Sequence, residues 1–129
     1  MKVLNLIGCC QEQKNNITEF INDNNIQYGV IADNVDLLEL SEKDASIIDC
    51  EPKFENYDHV ITDYTYDVEF NDETCTDRKG WHASFGYCKD YINTYNGTNE
   101  SYFEDYKGGT ASIRCNETEE VVFKTEVKQ

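Results

Sequence analysis

Apolar residues alternate with polar ones in some stretches of this chain and recur at helical spacing in others. Val3 to Ile7 is a short apolar run and reads as a buried strand. Asn16 followed by Glu19 has the spacing of a capping arrangement, so a helix is expected to start near Asn16. Ile17, Phe20 and Ile21 then recur at i, i+3 and i+4, which puts one stripe on a core before the Asn22–Asn25 cluster stops the helix. A second strand is expected over Tyr28 to Ala32. The resulting β-α-β start implies that the two strands run parallel, because a tight antiparallel turn cannot hold the intervening helix.

Leu37–Leu40 and Ala45–Ile48 flank the polar Ser41-Glu42-Lys43-Asp44, a pattern that fits a hairpin or a strand meeting a helical turn; the hairpin is favoured. Pro52, the only proline, forces Glu51 to be extended and marks 51–58 as a linker between an N-terminal subdomain, 1–50, and a C-terminal one, 59–129. His59 to Phe70 reads as one strand. Tyr64, Tyr66, Val68 and Phe70 lie on an aromatic face, with Asp67 and Glu69 on an exposed acidic one. After a polar loop over 71–80, Phe85, Cys88, Ile92 and Tyr95 share a helical face that ends at Asn96-Gly97. Thr110–Cys115 and Val121–Val127 form a hairpin. Its apolar faces unite when Ile113 opposes Phe123 and Cys115 opposes Val121, leaving Asn116–Glu120 to connect them. The fold class expected is α+β, an N-terminal β-α-β-like half and a C-terminal strand-helix-hairpin half packed as one compact unit.

Composition sharpens this picture. With 129 residues and 39% hydrophobic content, the chain holds enough apolar material to fold as about one domain. The N-terminal apolar run is too short for a signal peptide, and no stretch is long enough to span a bilayer, so a cytoplasmic chain with reduced cysteines is expected. Charge is the strongest compositional signal: 26 acidic against 11 basic residues give −15, distributed over both halves. Such a field repels nucleic acid and anionic membranes and favours a basic partner.

Candidate chemistry is sparse. Gly8-Cys9-Cys10 lies between a strand and a helix, where free amides could lower a thiol pKa, so a thiol enzyme using Cys9 or Cys10 is one alternative. Cys75, His82 and Cys88, with Cys115 as a fourth, could ligate zinc, but their spacing follows no paired-knuckle pattern and core thiols explain Cys88 and Cys115 better. Paired carboxylates fit a solvated surface. No calcium loop, phosphate-binding loop or nucleophile elbow is present. No catalytic residue, metal or cofactor is therefore assigned.

Tyr87, Tyr91, Tyr95, Tyr102, Phe103 and Tyr106 make the second helix and the loop after it aromatic, with acids beside them. Tyrosine next to acid suits an arginine-rich partner by stacking and charge pairing, which nominates Tyr102, Glu104, Asp105 and Tyr106 as contacts, with Asp63, Asp67 and Glu69 as a second patch. The segment from Ser101 to Val127, with Asn-Gly-Thr after the helix and a Gly-Gly-Thr to Asn-Glu-Thr hairpin, resembles short uncharacterised proteins of phages and conjugative elements of Gram-positive bacteria. The resemblance covers about the last half of the chain and carries over no catalytic residue. It implies an origin more than an activity; some small acidic proteins of such elements are inhibitors of the anti-CRISPR or anti-restriction type, a class this chain fits by charge, size and lack of an active site. Such a DNA mimic would act in a host bacterial cell by blocking nucleic-acid access to a basic protein such as a CRISPR effector.

Overall fold

The computed structural model describes residues 1–129. The fold is α+β, and the chain divides into two compact units, Met1–Asp63 and Tyr64–Gln129, each built on one four-stranded antiparallel sheet. No helix is long and apolar enough to cross a membrane.

In the first unit, β1 (Lys2–Asn5), α1 (Gln11–Asp23), β2 (Tyr28–Ile31), β3 (Asn34–Leu40), α2 (Glu42–Asp49) and β4 (Val60–Thr62) follow in sequence, and the strand order is β2-β3-β1-β4. Both β1 and β2 pair antiparallel with β3, so they point the same way but are not neighbours. The expected parallel sense is thus present, while the expected direct β-α-β pairing is not. The cause is a two-residue turn between β2 and β3. Ala32 and Asp33 sit at φ 51° and 60°, the paired left-handed conformation that hairpin twist requires, and they fold β3 back on β2, so that β3 lies between β2 and β1.

Two expected element boundaries also move. The helix α1 starts at Gln11 behind Cys10, five positions before Asn16, because Gln11 to Asn15 is polar but helix-compatible and Gln11 bonds Asn15 at i+4. Asn16 instead donates to the Tyr57 hydroxyl at 2.9 Å. Residues 42–49 form α2 and not the second arm of a hairpin. Ser41 caps this helix by accepting from the Asp44 amide at 3.1 Å, and Ala45 and Ile48 fall on its buried face.

The expected linker 51–58 belongs to the first unit. Pro52–Phe54 makes one 3-10 turn that inserts Phe54, 3% exposed, among Ile17, Ile21, Ile48 and Phe20, with an edge-on ring contact of 5.2 Å to Phe20. The strand expected over 59–70 is correspondingly two strands in two sheets. Val60–Thr62 pairs with β1, and the chain passes to the second unit after Asp63.

The second unit contains β5 (Tyr66–Asn71), β6 (Thr76–Arg78), α3 (Phe85–Tyr95), α4 (Ser101–Asp105), β7 (Thr110–Cys115) and β8 (Val121–Glu126), in strand order β6-β5-β7-β8. Residues 71–80, expected as loop, fold back as β6 because Asp72 closes the turn. One of its carboxylate oxygens accepts from the Thr74 amide at 2.8 Å and the Cys75 amide at 2.7 Å. The helix α3 matches its expected span, capped by Ser84 and ended before Gly97, whose φ of 90° suits glycine alone. Ile113 opposes Phe123 as expected, whereas Val121 faces Arg114 and not Cys115, because a bulge after Ile113 shifts the register. Tyr66, Val68, Phe70, Ala111, Ile113 and Cys115 form the buried sheet face that receives α3. A Cβ at Gly109 would collide with the Asn71 carbonyl, so this close backbone approach requires glycine.

Replacing Phe54 by alanine is expected to lower stability by about 3–5 kcal/mol, the cost of emptying a packed aromatic site. Urea denaturation of the full chain measures it. A loss below about 1 kcal/mol would restore 51–58 to the role of a linker.

Candidate functional site

The i, i+4, i+8 spacing of Tyr87, Tyr91 and Tyr95 lays three rings along one side of α3, beside the face that buries Phe85, Cys88 and Ile92. Trp81 joins them from the segment between β6 and α3. Its ring meets Tyr87 at 5.6 Å and Tyr91 at 4.9 Å, both edge-on, and Tyr91 meets Tyr95 at 5.3 Å. Tyr102, on α4, supplies a further ring by stacking on Phe70 at 5.4 Å. Trp81, Tyr87 and Tyr95 keep 36%, 60% and 41% of their surface in solvent, which makes this an accessible aromatic surface and not a satellite core.

A cation already sits in it. The Lys79 ammonium lies 3.6 Å from the Tyr102 ring centroid, 4.9 Å from that of Trp81 and 5.6 Å from that of Tyr91, and it forms no salt bridge although the chain carries 26 acids. Glu100 ties the Tyr91 ring to the start of α4. Its carboxylate accepts the Tyr91 hydroxyl on one oxygen and the Tyr102 amide, at 2.5 Å, on the other. Burial, reinforced by the Glu100 bond, pushes the Tyr91 phenol well above its ordinary pKa, so it stays a neutral donor.

The placement of Trp81 depends on the sheet beneath it. The Lys79 amide donates to the Val68 carbonyl at 2.9 Å, the Trp81 amide to the Lys79 carbonyl at 2.9 Å, and Tyr66 and Ala83 exchange a pair of backbone bonds. Between them His82 adopts φ 49°, strained for a side chain of its kind, and its amide donates to Asp67 at 2.9 Å. Asp67 is 2% exposed and also accepts from Arg78 at 3.0 Å and Asn116 at 3.2 Å. Burial works to raise its pKa, but the His82, Asn116 and Arg78 donors together hold the carboxyl below its ordinary value.

The nominated contacts fare differently. Tyr102 lies under Lys79 as a wall of the aromatic group, and Glu104 and Asp105 are exposed on α4, Glu104 in an i, i+3 pair with Lys107. Tyr106 is corrected: it is 4% exposed, stacks on Phe70 at 5.5 Å, and donates its hydroxyl to Asp77 at 2.5 Å, a bond that raises its pKa. Asp67 and Glu69 are corrected as well. Glu69 takes two bonds from the Arg114 guanidinium at 3.1 and 3.2 Å, so the acidic strand face is neutralised across the strands and offers no bare patch. Asp63 is exposed and pairs with Lys2 at 2.7 Å. Trp81 and Lys79 went unnominated because a lone Trp and a lone Lys in a polar loop carry no periodic signal; Lys79-Gly80-Trp81 spacing with a nearby tyrosine helix was the available clue.

Burial, then the Asp58 charge, raises the Cys9 thiol pKa, which opposes thiolate formation there; Cys10 is exposed at the start of α1. The fold does not gather Cys75, His82 and Cys88 into a ligand set: Cys75 is exposed in the β5–β6 turn and Cys88 is buried in α3. No family model, curated protein or solved structure matches this chain, so the site stands on its own geometry.

Because the folded pKa of Asp67 is depressed, its stabilising contribution is complete above the ordinary value of 3.8 and is lost as pH falls through the folded value. Asp67→Asn is expected to cost about 1.5–3 kcal/mol at neutral pH, and that difference should close as acidification carries the pH below the depressed folded value. Denaturation midpoints of both proteins across this range measure the effect. A gap that persists unchanged into acid would remove the ionic role.

Proposed function

We propose that this chain is a non-enzymatic binding protein of a phage or mobile element, acting in the host bacterial cytoplasm. It docks a basic nucleic-acid-handling protein through the Trp81, Tyr87 and Tyr95 surface and blocks nucleic-acid access. The single observation that carries this reading is an accessible aromatic surface, Trp81, Tyr87 and Tyr95, whose Trp81 also shares an ammonium group with the half-buried Tyr91 and Tyr102. Solvent-exposed Trp and Tyr are the residue types that dominate binding energy at interfaces, and a partner lined with cationic side chains is the one such rings favour. The net charge of −15 adds long-range attraction to the same partner and repels nucleic acid. Asp90 on α3, with Glu104 and Asp105 on α4, supplies exposed carboxylates on the elements that carry the tyrosines. Tyr102 contributes as a wall, and the contact set of the acidic strand face is withdrawn in favour of Trp81, Tyr87 and Tyr95.

Capture from a bacterial lysate at low and high salt, with nuclease treatment, tests the proposal. A basic nucleic-acid-binding protein is expected, retained after nuclease and weakened by salt. The Trp81→Ala/Tyr87→Ala/Tyr95→Ala variant should lose at least about thirtyfold in affinity for it, the effect of one hot-spot residue. Equal capture by a folded triple variant, or capture that disappears with nuclease, would overturn the reading.

A further inference from the structure

We infer that Lys79 is a latch occupying, in cis, a cage whose external ligand is an arginine side chain of the partner; this rests on the docking reading above and names its chemistry. The cage has three aromatic walls, Tyr102, Trp81 and Tyr91, at 3.6, 4.9 and 5.6 Å from the Lys79 ammonium. Its walls are held independently of the lysine. Tyr102 is stacked on the buried Phe70, Tyr91 is tied to Glu100, and Trp81 rests edge-on against Tyr91 while its segment is pinned to β5. Removing the Lys79 side chain therefore leaves the recognition surface standing.

The occupant follows from competition. An ammonium supplies three donors, and ring faces satisfy them poorly, so Lys79 is a weak but permanently available ligand. A lysine arriving from outside has the same chemistry and faces an intramolecular rival at high effective concentration, so it does not displace it. A guanidinium is planar, less hydrated than an ammonium and stacks on aromatic faces, so it gains more from the same rings. The device thus discriminates arginine from lysine, a choice that bare negative charge cannot make. Charge complementarity points to the same occupant, since a basic partner meets a chain of net −15.

Trp81 is the only tryptophan, so intrinsic fluorescence reports this cage directly. The native full-length chain is titrated with triarginine and trilysine amides of equal charge, and with tetramethylammonium chloride, against matched sodium chloride. Saturable binding of triarginine about tenfold tighter than trilysine is expected. In Lys79→Ala, and in Lys79→Gln should the alanine variant fold poorly, trilysine should gain about tenfold and the discrimination should narrow. Equal binding of the two peptides to the native chain would reduce the effect to non-specific charge and overturn the proposal. So would an unchanged preference in a folded Lys79 variant, or tighter binding of tetramethylammonium, which would assign the cage to methylated lysine. Native-chain discrimination is decisive even if neither variant folds. Failure here with retained partner capture discards the latch alone; arginine selectivity with no captured partner discards the docking reading alone.

Discussion

Phe70 is the constraint on which the second unit turns. It is fully buried on β5 and touches four rings: Phe103 at 4.9 Å and Tyr91 at 6.4 Å edge-on, Tyr102 at 5.4 Å and Tyr106 at 5.5 Å stacked. A helix as short as α4 has little stability of its own, because its nucleation cost is spread over few hydrogen bonds. Packing on Phe70 holds it, and the same packing sets where Tyr102 presents its outer face. One strand residue thereby links the β-sheet to the position of an accessible ring that it never exposes itself.

The basic side chains show how a strongly acidic chain places its few cations. Arg78 and Arg114 neutralise Asp67 and Glu69 on the sheet face away from the aromatic layer, and each also reaches the β7–β8 turn, Arg78 through Glu119 and Asn116 and Arg114 through the Glu119 carbonyl. These bonds are structural. They secure β6 and, through Asp67, the His82 amide, so that a buried carboxylate on one face fixes the backbone of the segment that carries Trp81. Lys79 and Lys89 are used differently, over the rings of Tyr102 and Phe123, each at 3.6 Å.

The α+β class, the extent of α3 and the β7–β8 pairing at Ile113 and Phe123 were legible because each rests on periodicity within one segment. What was not legible depends on partners far along the chain. Ala32-Asp33 lacks the Asn-Gly signature of its turn, yet it decides which strand β3 meets, and hence that β1 and β2 are separated. The run His59–Phe70 alternates as one strand, and only the competing pairings of Val60–Thr62 with β1 and of Tyr66–Asn71 with β7 divide it. The aromatic character of the site was visible in the tyrosines. Which of them remained accessible was not, because Tyr102 and Tyr106 stack on Phe70 in nearly the same way, and what sets them apart, the Asp77 carboxylate on the Tyr106 hydroxyl and Lys79 over the Tyr102 ring, comes from residues outside the segment.

Charge and rings act over different distances, and that separates attraction from recognition. At physiological salt the field of the acidic surplus decays within about 8 Å, so it governs encounter and is shared by every cationic surface. The aromatic walls act only at contact, where Lys79 has its ammonium. Had negative charge alone been the binding device, the most favourable place for Lys79 would be one of the many carboxylates. Its position over three rings, with no salt bridge, shows that this surface competes for a cation against the acids of its own chain. Ring geometry here is set by the stacking of Tyr102 on Phe70 and by the bond of the Tyr91 hydroxyl to Glu100, while the acidic surplus acts over the longer range.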